Sequence, residues 1–232
     1  MLPAIGPMGK RHAICHHGAM PSSPTSDTGR LVLASGSAAR AAVLDSLGIA
    51  FDPHPAAVDE RAIRDRLHAA GVTAAPIALA LAEAKAQAVR PLVGARWLLA
   101  ADQLAEVGTG PGRCILDKPV SLAAAVDQLT ALAGTSHRLI NGILLVAPDG
   151  REWRGVDRHR IVMTAFSRHQ AAAYVRDFRP LECVGAYRIE DRAGLIERVE
   201  HLDGGGESGV MGLPATLFER LARRAGLWSL LS

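Results

Sequence analysis

Apolar and polar positions along the chain fall into blocks of two periods. Residues 31–34, Leu-Val-Leu-Ala, form a short continuous apolar run that reads as a buried strand, and Ser35-Gly36-Ser37 reads as a tight turn. A helix follows, with Ser37 as its N-cap, running through Ala41, Ala42, Val43, Leu44 and Leu47 to a Gly48 stop. Residues 49–51 predict a short second strand ahead of Pro53 and Pro55, and 59–70 is helix-like. A further helix spans 76–89, with Pro76 in its first turn and Ile77, Leu81, Ala84 and Ala88 on one stripe. Lys85 falls at the edge of that stripe, so its stem packs while its amine reaches a neighbouring cleft.

Residues 97–101 predict a buried strand ending at Asp102, and a glycine-rich loop then leads to a strand over 114–116. Ser121 caps a helix that runs to Leu132 and stops at Gly134. Residues 137–147 are strand-like, and Pro148-Asp149-Gly150 turns them into a second hairpin arm, with 159–166 as another strand. Ser167 caps a helix to Phe178, 195–202 alternates as a strand, 204–209 is a flexible loop and 214–225 is the closing helix. Strands and helices interleave throughout, which predicts an α/β or mixed α+β sheet protein.

Residues 1–29 read as an irregular extension, with Pro3, Pro7, Pro21 and Pro24, and 30–232 as the folded domain. His12, Cys15, His16 and His17 in the extension could bind a metal, but no second ligand pair stands at finger-like spacing. Met20 is an alternative working start. No apolar run approaches the ~20 residues that span a bilayer, and no continuous apolar stretch near the start predicts a secretory signal. Cys15, Cys114 and Cys183 are an odd, widely spaced set, which suits reduced thiols in the cytoplasm. A net charge of +3 favours anionic partners only weakly. With no run of five basic residues and nine scattered aromatics, a nucleic-acid surface is not predicted. Only Lys10, Lys85 and Lys118 are lysines among 26 basic residues, so a lysine is kept where a compact, flexible ammonium is required.

A strand feeding a hydroxyl- and glycine-bearing turn at a helix N-terminus is a ready anion site. Arg40 sharpens this, because a cation in the first turn opposes the helix dipole at roughly 0.3–1 kcal/mol unless an anion lies between them. Asp102 ends an apolar strand, where open α/β sheets place ligands, although an Asx-turn is the competing explanation there. Glu60 could be ordinary first-turn chemistry, and Lys118, extended before Pro119, an ordinary solvated lysine. Taken together, an anion cradle of Ser35, Ser37 and Arg40, two lysines and two carboxylates are what phosphoanhydride hydrolysis needs. A P-loop and a dinucleotide fingerprint are both absent, and Gly204-Gly205-Gly206, with no evident helix after it, reads as a loop.

Seven segments occur in the order and spacing of one family: Leu33-Ala-Ser-Gly-Ser-Ala-Ala-Arg40, Val58-Asp-Glu60, Leu81-Ala-Glu-Ala-Lys-Ala86, Ala101-Asp-Gln103, Asp117-Lys-Pro119, Gly185-Ala-Tyr187 and Val210-Met-Gly-Leu-Pro214. Over about 30–226 the chain resembles the Maf-like nucleoside triphosphate pyrophosphatases. The resemblance implies a Maf/ITPase-like fold, a central twisted mixed sheet flanked by helices with two lobes around a cleft. It also implies a cytoplasmic, often dimeric enzyme that uses Mg²⁺ or Mn²⁺ to cut a nucleoside triphosphate into monophosphate and pyrophosphate. By position, Ser35, Arg40, Lys85 and Lys118 would hold phosphates, Glu60 and Asp102 would bind metal, Asp102 would also orient or deprotonate the water, and Glu190 would sit near the nucleotide. Gln103 resembles the subgroup acting on 7-methyl-GTP more than the subgroup acting on thymidine and uridine triphosphates. Two departures stand out: Ala38, Ala39 and Ala41 surround Arg40 where the family has a proline and a second arginine, and the segment after Tyr187 is one residue short. The absent guanidinium leaves a competing reading, a weakly active or inactive nucleotide-binding regulatory protein linked to septum formation.

Overall fold

A computed structural model describes residues 30–231. The candidate metal ligands His12, Cys15, His16 and His17 lie outside the described residues. The continuous apolar run forms β1 (Leu31–Leu33), fully buried as a strand covered on both faces must be. It runs parallel to β2 (Phe51–Pro53) on one side and to the start of β3 (Leu98–Val107) on the other. Beyond β3 the sheet turns antiparallel through β5 (Ser136–Val146), β6 (Glu152–Met163) and β7 (Ile196–His201), and β4 (Cys114–Leu116) pairs with the end of β3. The result is a mixed seven-stranded sheet.

Five helices close the sheet's two faces. Even-numbered β3 and β5 residues, among them Leu98, Ala100, Leu104, Ile140 and Leu144, pack under α3 (Ala74–Val93). Odd-numbered residues meet two separate cores. Leu99, Ala101, Ile143 and Leu145 pack against Leu217 and Phe218 of α7 (Ala215–Ala225), together with α1 (Ala38–Ser46). Ala105, Leu139 and Ile161 pack with α4 (Leu122–Leu132) and α5 (Arg168–Phe178). These two cores are the two lobes. Between them runs a seam, overlain by the glycine-rich 204–212 segment, which contains the four-residue α6 (Glu207–Val210). The remaining helices are α2 (Glu60–Ala69), which lies against α3 and has no buried residue, and the terminal α8 (Trp228–Leu231). Among the described residues no helix is long and apolar enough to cross a membrane.

Several expected boundaries shift. The predicted strand at 97–101 does not end at Asp102 but continues to Val107, because β5 pairs with all ten residues of β3 and carries it past the point where β1 stops. The hairpin arm after Gly150 and the strand at 159–166 are one twelve-residue β6, ending at Met163; its alternation is masked by arginines on the open face and buried polar residues on the other. The second strand begins at Phe51, in register with Leu31, rather than at Ile49, which is buried against α1. The helix expected over 76–89 begins two residues earlier and continues through Pro91.

Candidate active site

Along one edge of β3, β1 pairs only with Leu98 and Leu99 and β4 only from Ala105 onward, so residues 100–104 have no strand neighbour on that side. A cleft of about 640 Å³ opens at this gap, lined by Arg40, Glu60, Lys85, Asp102, Gln103 and Lys118. Asp102 therefore borders a ligand-sized space without ending its strand, and the space comes from a change of neighbour along a continuous strand. Opposite Asp102 in the ladder is Gly142, whose missing side chain lets α3 lie directly on the sheet: a Cβ there would come within 2.6 Å of the Ala78 carbonyl oxygen. That close approach brings Lys85, two turns further along α3, down onto Asp102.

The Lys85 ammonium is buried and bridges two carboxylates. It donates to Asp102 Oδ1, and Glu60 Oε1 lies 2.9 Å away. Glu60 is the first residue of α2, which Asp59 caps by accepting from the Ala62 N–H at 2.9 Å. Burial pushes the Asp102 carboxyl above its usual range; Lys85 and Arg40 oppose this and Glu60 adds to it. For Glu60, burial pushes upward, but Lys85, Lys118 and Arg40 together hold it below the usual value.

Arg40 stands in the first turn of α1, as the serine turn predicts. Ser37 Oγ caps the helix by accepting from the Arg40 N–H, and Ser35 Oγ accepts from Arg40 Nη1 at 3.0 Å and from the Ser37 N–H at 3.2 Å. Arg40 Nε donates to the Gly212 carbonyl at 2.9 Å, so the guanidinium ties the serine turn to the glycine-rich segment across the cleft. Its burial pushes its pKa down, while Asp102 and Glu60 hold it up.

A smaller recess of about 110 Å³ continues the cleft on the other side of Arg40, Gln103 and Lys118, and is lined by Ser37, Ala39, Tyr187, Ile189, Glu190 and Met211 among others. Tyr187 forms one wall, its hydroxyl 2.7 Å from His137 Nε2. Glu190 is exposed at the rim and makes no hydrogen bond or ion pair with the described residues. Gln103 Nε2 donates to the carbonyls of Gly209 at 2.9 Å and Val210 at 3.1 Å, which leaves only its Oε1 for a ligand. Lys118 is half-exposed, 3.6 Å from Glu182. Ala39 lines the recess beside Arg40.

The structure thus brings Ser35, Ser37, Glu60, Lys85, Asp102, Gln103 and Lys118 around Arg40, with Glu190 at the recess rim. Sequence reasoning missed Arg61 and Arg64, which also line the cleft; Arg64 bridges Asp65 and Asp117, tying α2 to the loop that carries Lys118. Their spacing after Glu60, three residues apart on one helix face, was the available signal. It also missed the buried polar residues Asn141, Asp157 and His159, which periodicity alone assigns to a core.

Glu60 and Asp102 present hard oxygen donors to one point, which the Lys85 ammonium now shares. A pair of carboxylates completed by phosphate oxygens and water is a donor set that suits Mg²⁺ or Mn²⁺, so the residues present fit such an ion.

A family model described as Maf-like protein matches residues 30–225. A 7-methyl-GTP pyrophosphatase of Rhizobium meliloti (strain 1021) is 36% identical over 190 residues, covering 79% of this chain and 90% of that protein. A nucleoside triphosphate pyrophosphatase of Gluconobacter oxydans (strain 621H) is 36% identical over 188 residues, covering 79% and 89%. A dTTP/UTP pyrophosphatase of Methylobacillus flagellatus is 36% identical over 201 residues, covering 85% and 94%.

Proposed function

The chain belongs to the Maf-like family, and from that premise we propose that it is an enzyme hydrolysing nucleoside triphosphates between the α and β phosphates, releasing a nucleoside monophosphate and pyrophosphate. The observation that carries this reading is the Glu60–Lys85–Asp102 group set beside Arg40 and Lys118 in one cleft that continues into a partly apolar recess. The recess takes the nucleoside and the cleft takes the polyphosphate.

Arg40 and Lys118 stand where the two spaces meet and hold the phosphates nearest the scissile bond. Asp102, held in one orientation by Lys85, positions a water on the α phosphorus and accepts its proton as general base. Glu60 and Asp102 would hold Mg²⁺ or Mn²⁺, which supplies charge neutralisation to the phosphate oxygens. The pyrophosphate leaves toward Lys118 and α2.

Gln103 Oε1 is an acceptor at the mouth of the recess, and Glu190 is a second acceptor at its rim. Together they suit a base edge rich in N–H donors, and with the names of the relatives they support a methylated guanosine triphosphate as the preferred substrate. We place the enzyme in the cytoplasm as a homodimer, on the family resemblance and the free Cys114 and Cys183. A single observation favours a second reading, binding without efficient turnover: Ala39 borders the anion site and brings no charge to it.

One assay tests the reaction and separates the two readings. A panel of 7-methyl-GTP, GTP, dTTP and UTP with Mg²⁺ or Mn²⁺ should yield monophosphate and pyrophosphate in equal amounts, with the highest kcat/KM for 7-methyl-GTP. Stepwise release of orthophosphate refutes the reaction, faster turnover of dTTP or UTP refutes the substrate, and binding without any product leaves the regulatory reading.

A further inference from the structure

The seam between the two odd-face cores is polar where buried strand positions are ordinarily apolar. Gln103, Asn141 and Asp157 are register partners on β3, β5 and β6. His159 follows on the same face of β6 and meets His201 of β7, with Nδ1 to Nδ1 at 2.9 Å. Asn141, Asp157 and His159 are at most 1% exposed. What covers them is backbone, the 204–212 segment.

That segment is shaped by the row beneath it. Asn141 Nδ2 donates to the Gly209 carbonyl at 2.9 Å, beside the two bonds from Gln103. A Cβ on Gly205 would collide with the Asp157 carboxylate. One on Gly209 would collide with the His159 imidazole and lie 2.6 Å from Asp157 Oδ2. Gly209 sits in α6 at an ordinary helical φ, so glycine is required there by the approach to the row and not by the backbone. At its other end the same segment forms the recess: Val210, Met211 and Gly212 line it, and the Gly212 carbonyl holds Arg40.

Buried polar groups are a poor source of stability compared with apolar packing of the same shape, and Asn141 Oδ1 is buried without a hydrogen-bond partner. What hydrogen bonds add is direction, since they fix the height and rotation of a backbone that apolar contact leaves free to slide. We infer that Asn141 is a positioning residue for nucleotide binding, acting through the Gly209 carbonyl to hold the recess wall formed by Val210 and Met211. The inference rests on the proposal that the recess takes the nucleoside. Asp102 and Lys85 lie on the opposite face of the sheet, under α3, so the proton acceptor is insulated from this device. Losing the Asn141 donor therefore weakens binding and spares the chemical step.

Asn141→Leu keeps the branched shape and removes the donor. KM for 7-methyl-GTP should rise about tenfold, the scale of one lost hydrogen bond, with kcat within about threefold of wild type. The Kd for 7-methyl-GMP, measured by calorimetry, should rise in step with KM. Gly209→Ala, which moves the segment from above, should give the same pattern and carries the test if Asn141→Leu does not fold. Wild-type KM and Kd in a folded variant overturn the inference, even with a lower Tm, and so does a fall in kcat at unchanged KM. If the wild-type protein binds nucleotide and releases no pyrophosphate, the hydrolysis reading fails, and the Kd comparison still decides the role of Asn141.

Discussion

Asp102→Asn is the most direct test of the proposed chemistry, because the structure confines what it changes. The carboxylate is 3% exposed, and its hydrogen-bonding partner is the Lys85 ammonium. An amide of the same size occupies the same space and still accepts from Lys85, which keeps Glu60 at 2.9 Å. The variant therefore loses one negative charge, one proton acceptor and one of the two carboxylates proposed to hold the metal. Loss of a general base lowers kcat by about 10² to 10⁴, or about 3–5 kcal/mol of barrier. Stability should not follow. Burial gives Asp102 a higher pKa folded than unfolded, against the pull of Lys85 and Arg40. Such a group costs stability above the ordinary carboxylate range, and the cost fades as pH falls through the raised value; asparagine carries no such cost. The expected result is a Tm at pH 7 no lower than wild type, with pyrophosphate release reduced at least a hundredfold at saturating Mg²⁺. A folded Asp102→Asn protein within about threefold of wild-type turnover refutes the assignment.

Ala39→Arg places a guanidinium at the recess beside Arg40 and should raise kcat/KM, more at low ionic strength than at high, because salt screens the added charge. No gain at any ionic strength argues that the site is already electrostatically complete. Burial lowers the His137 pKa to about 4, so the unfolded chain takes up a proton near pH 6.5 that the folded protein refuses. Stability should drop by up to about 3 kcal/mol as pH falls from 7 to 4, and His137→Gln, which keeps a partner for Tyr187, should flatten that slope in urea unfolding. Lys85→Met takes the ammonium from the buried Asp102 carboxylate, with half-exposed Glu60 beside it, and should cost about 3–5 kcal/mol of stability. Adding Asp102→Asn should restore part of it, whereas strict additivity in denaturant midpoints contradicts the coupling.

What was legible in the chain was local. The Ser37, Ser121 and Ser167 caps each follow from one hydroxyl accepting from a nearby backbone N–H, Gly48 as stop follows from its positive φ, and each stands where it was expected. The Lys85 amine was placed toward a cleft from helical spacing alone. What was not legible was pairing. Nothing within 97–107 marks that β5 will run the whole length of β3, since Gln103 and Glu106 break the apolar run and the partner that carries the strand onward lies some forty residues away. The same holds for β6, where Asp157 and His159 interrupt the alternation because the glycine backbone of the 204–212 segment lies over them. Gly204-Gly205-Gly206 reads as a flexible loop until the row beneath it explains why a side chain at 205 has no room.

The gap along β3 accounts for most of the site at once. Parallel pairing with β1 ends at Leu99, because the chain must leave the sheet there to form the serine turn and α1, and antiparallel pairing with β4 begins only at Ala105. Between them one strand edge is open, and alternation sends successive side chains to opposite faces there. Asp102 goes to the α3 face and meets Lys85, while Gln103 goes to the other face and meets the glycine segment. On the proposed reading one dipeptide divides the labour: proton acceptance under α3, and nucleoside positioning under the 204–212 segment, with Arg40 between the two. A one-residue slip of β3 against β5 would exchange these faces and abolish both proposed roles together. The ten-residue ladder with β5, longer than packing of the Asp102 region alone requires, is what holds that register.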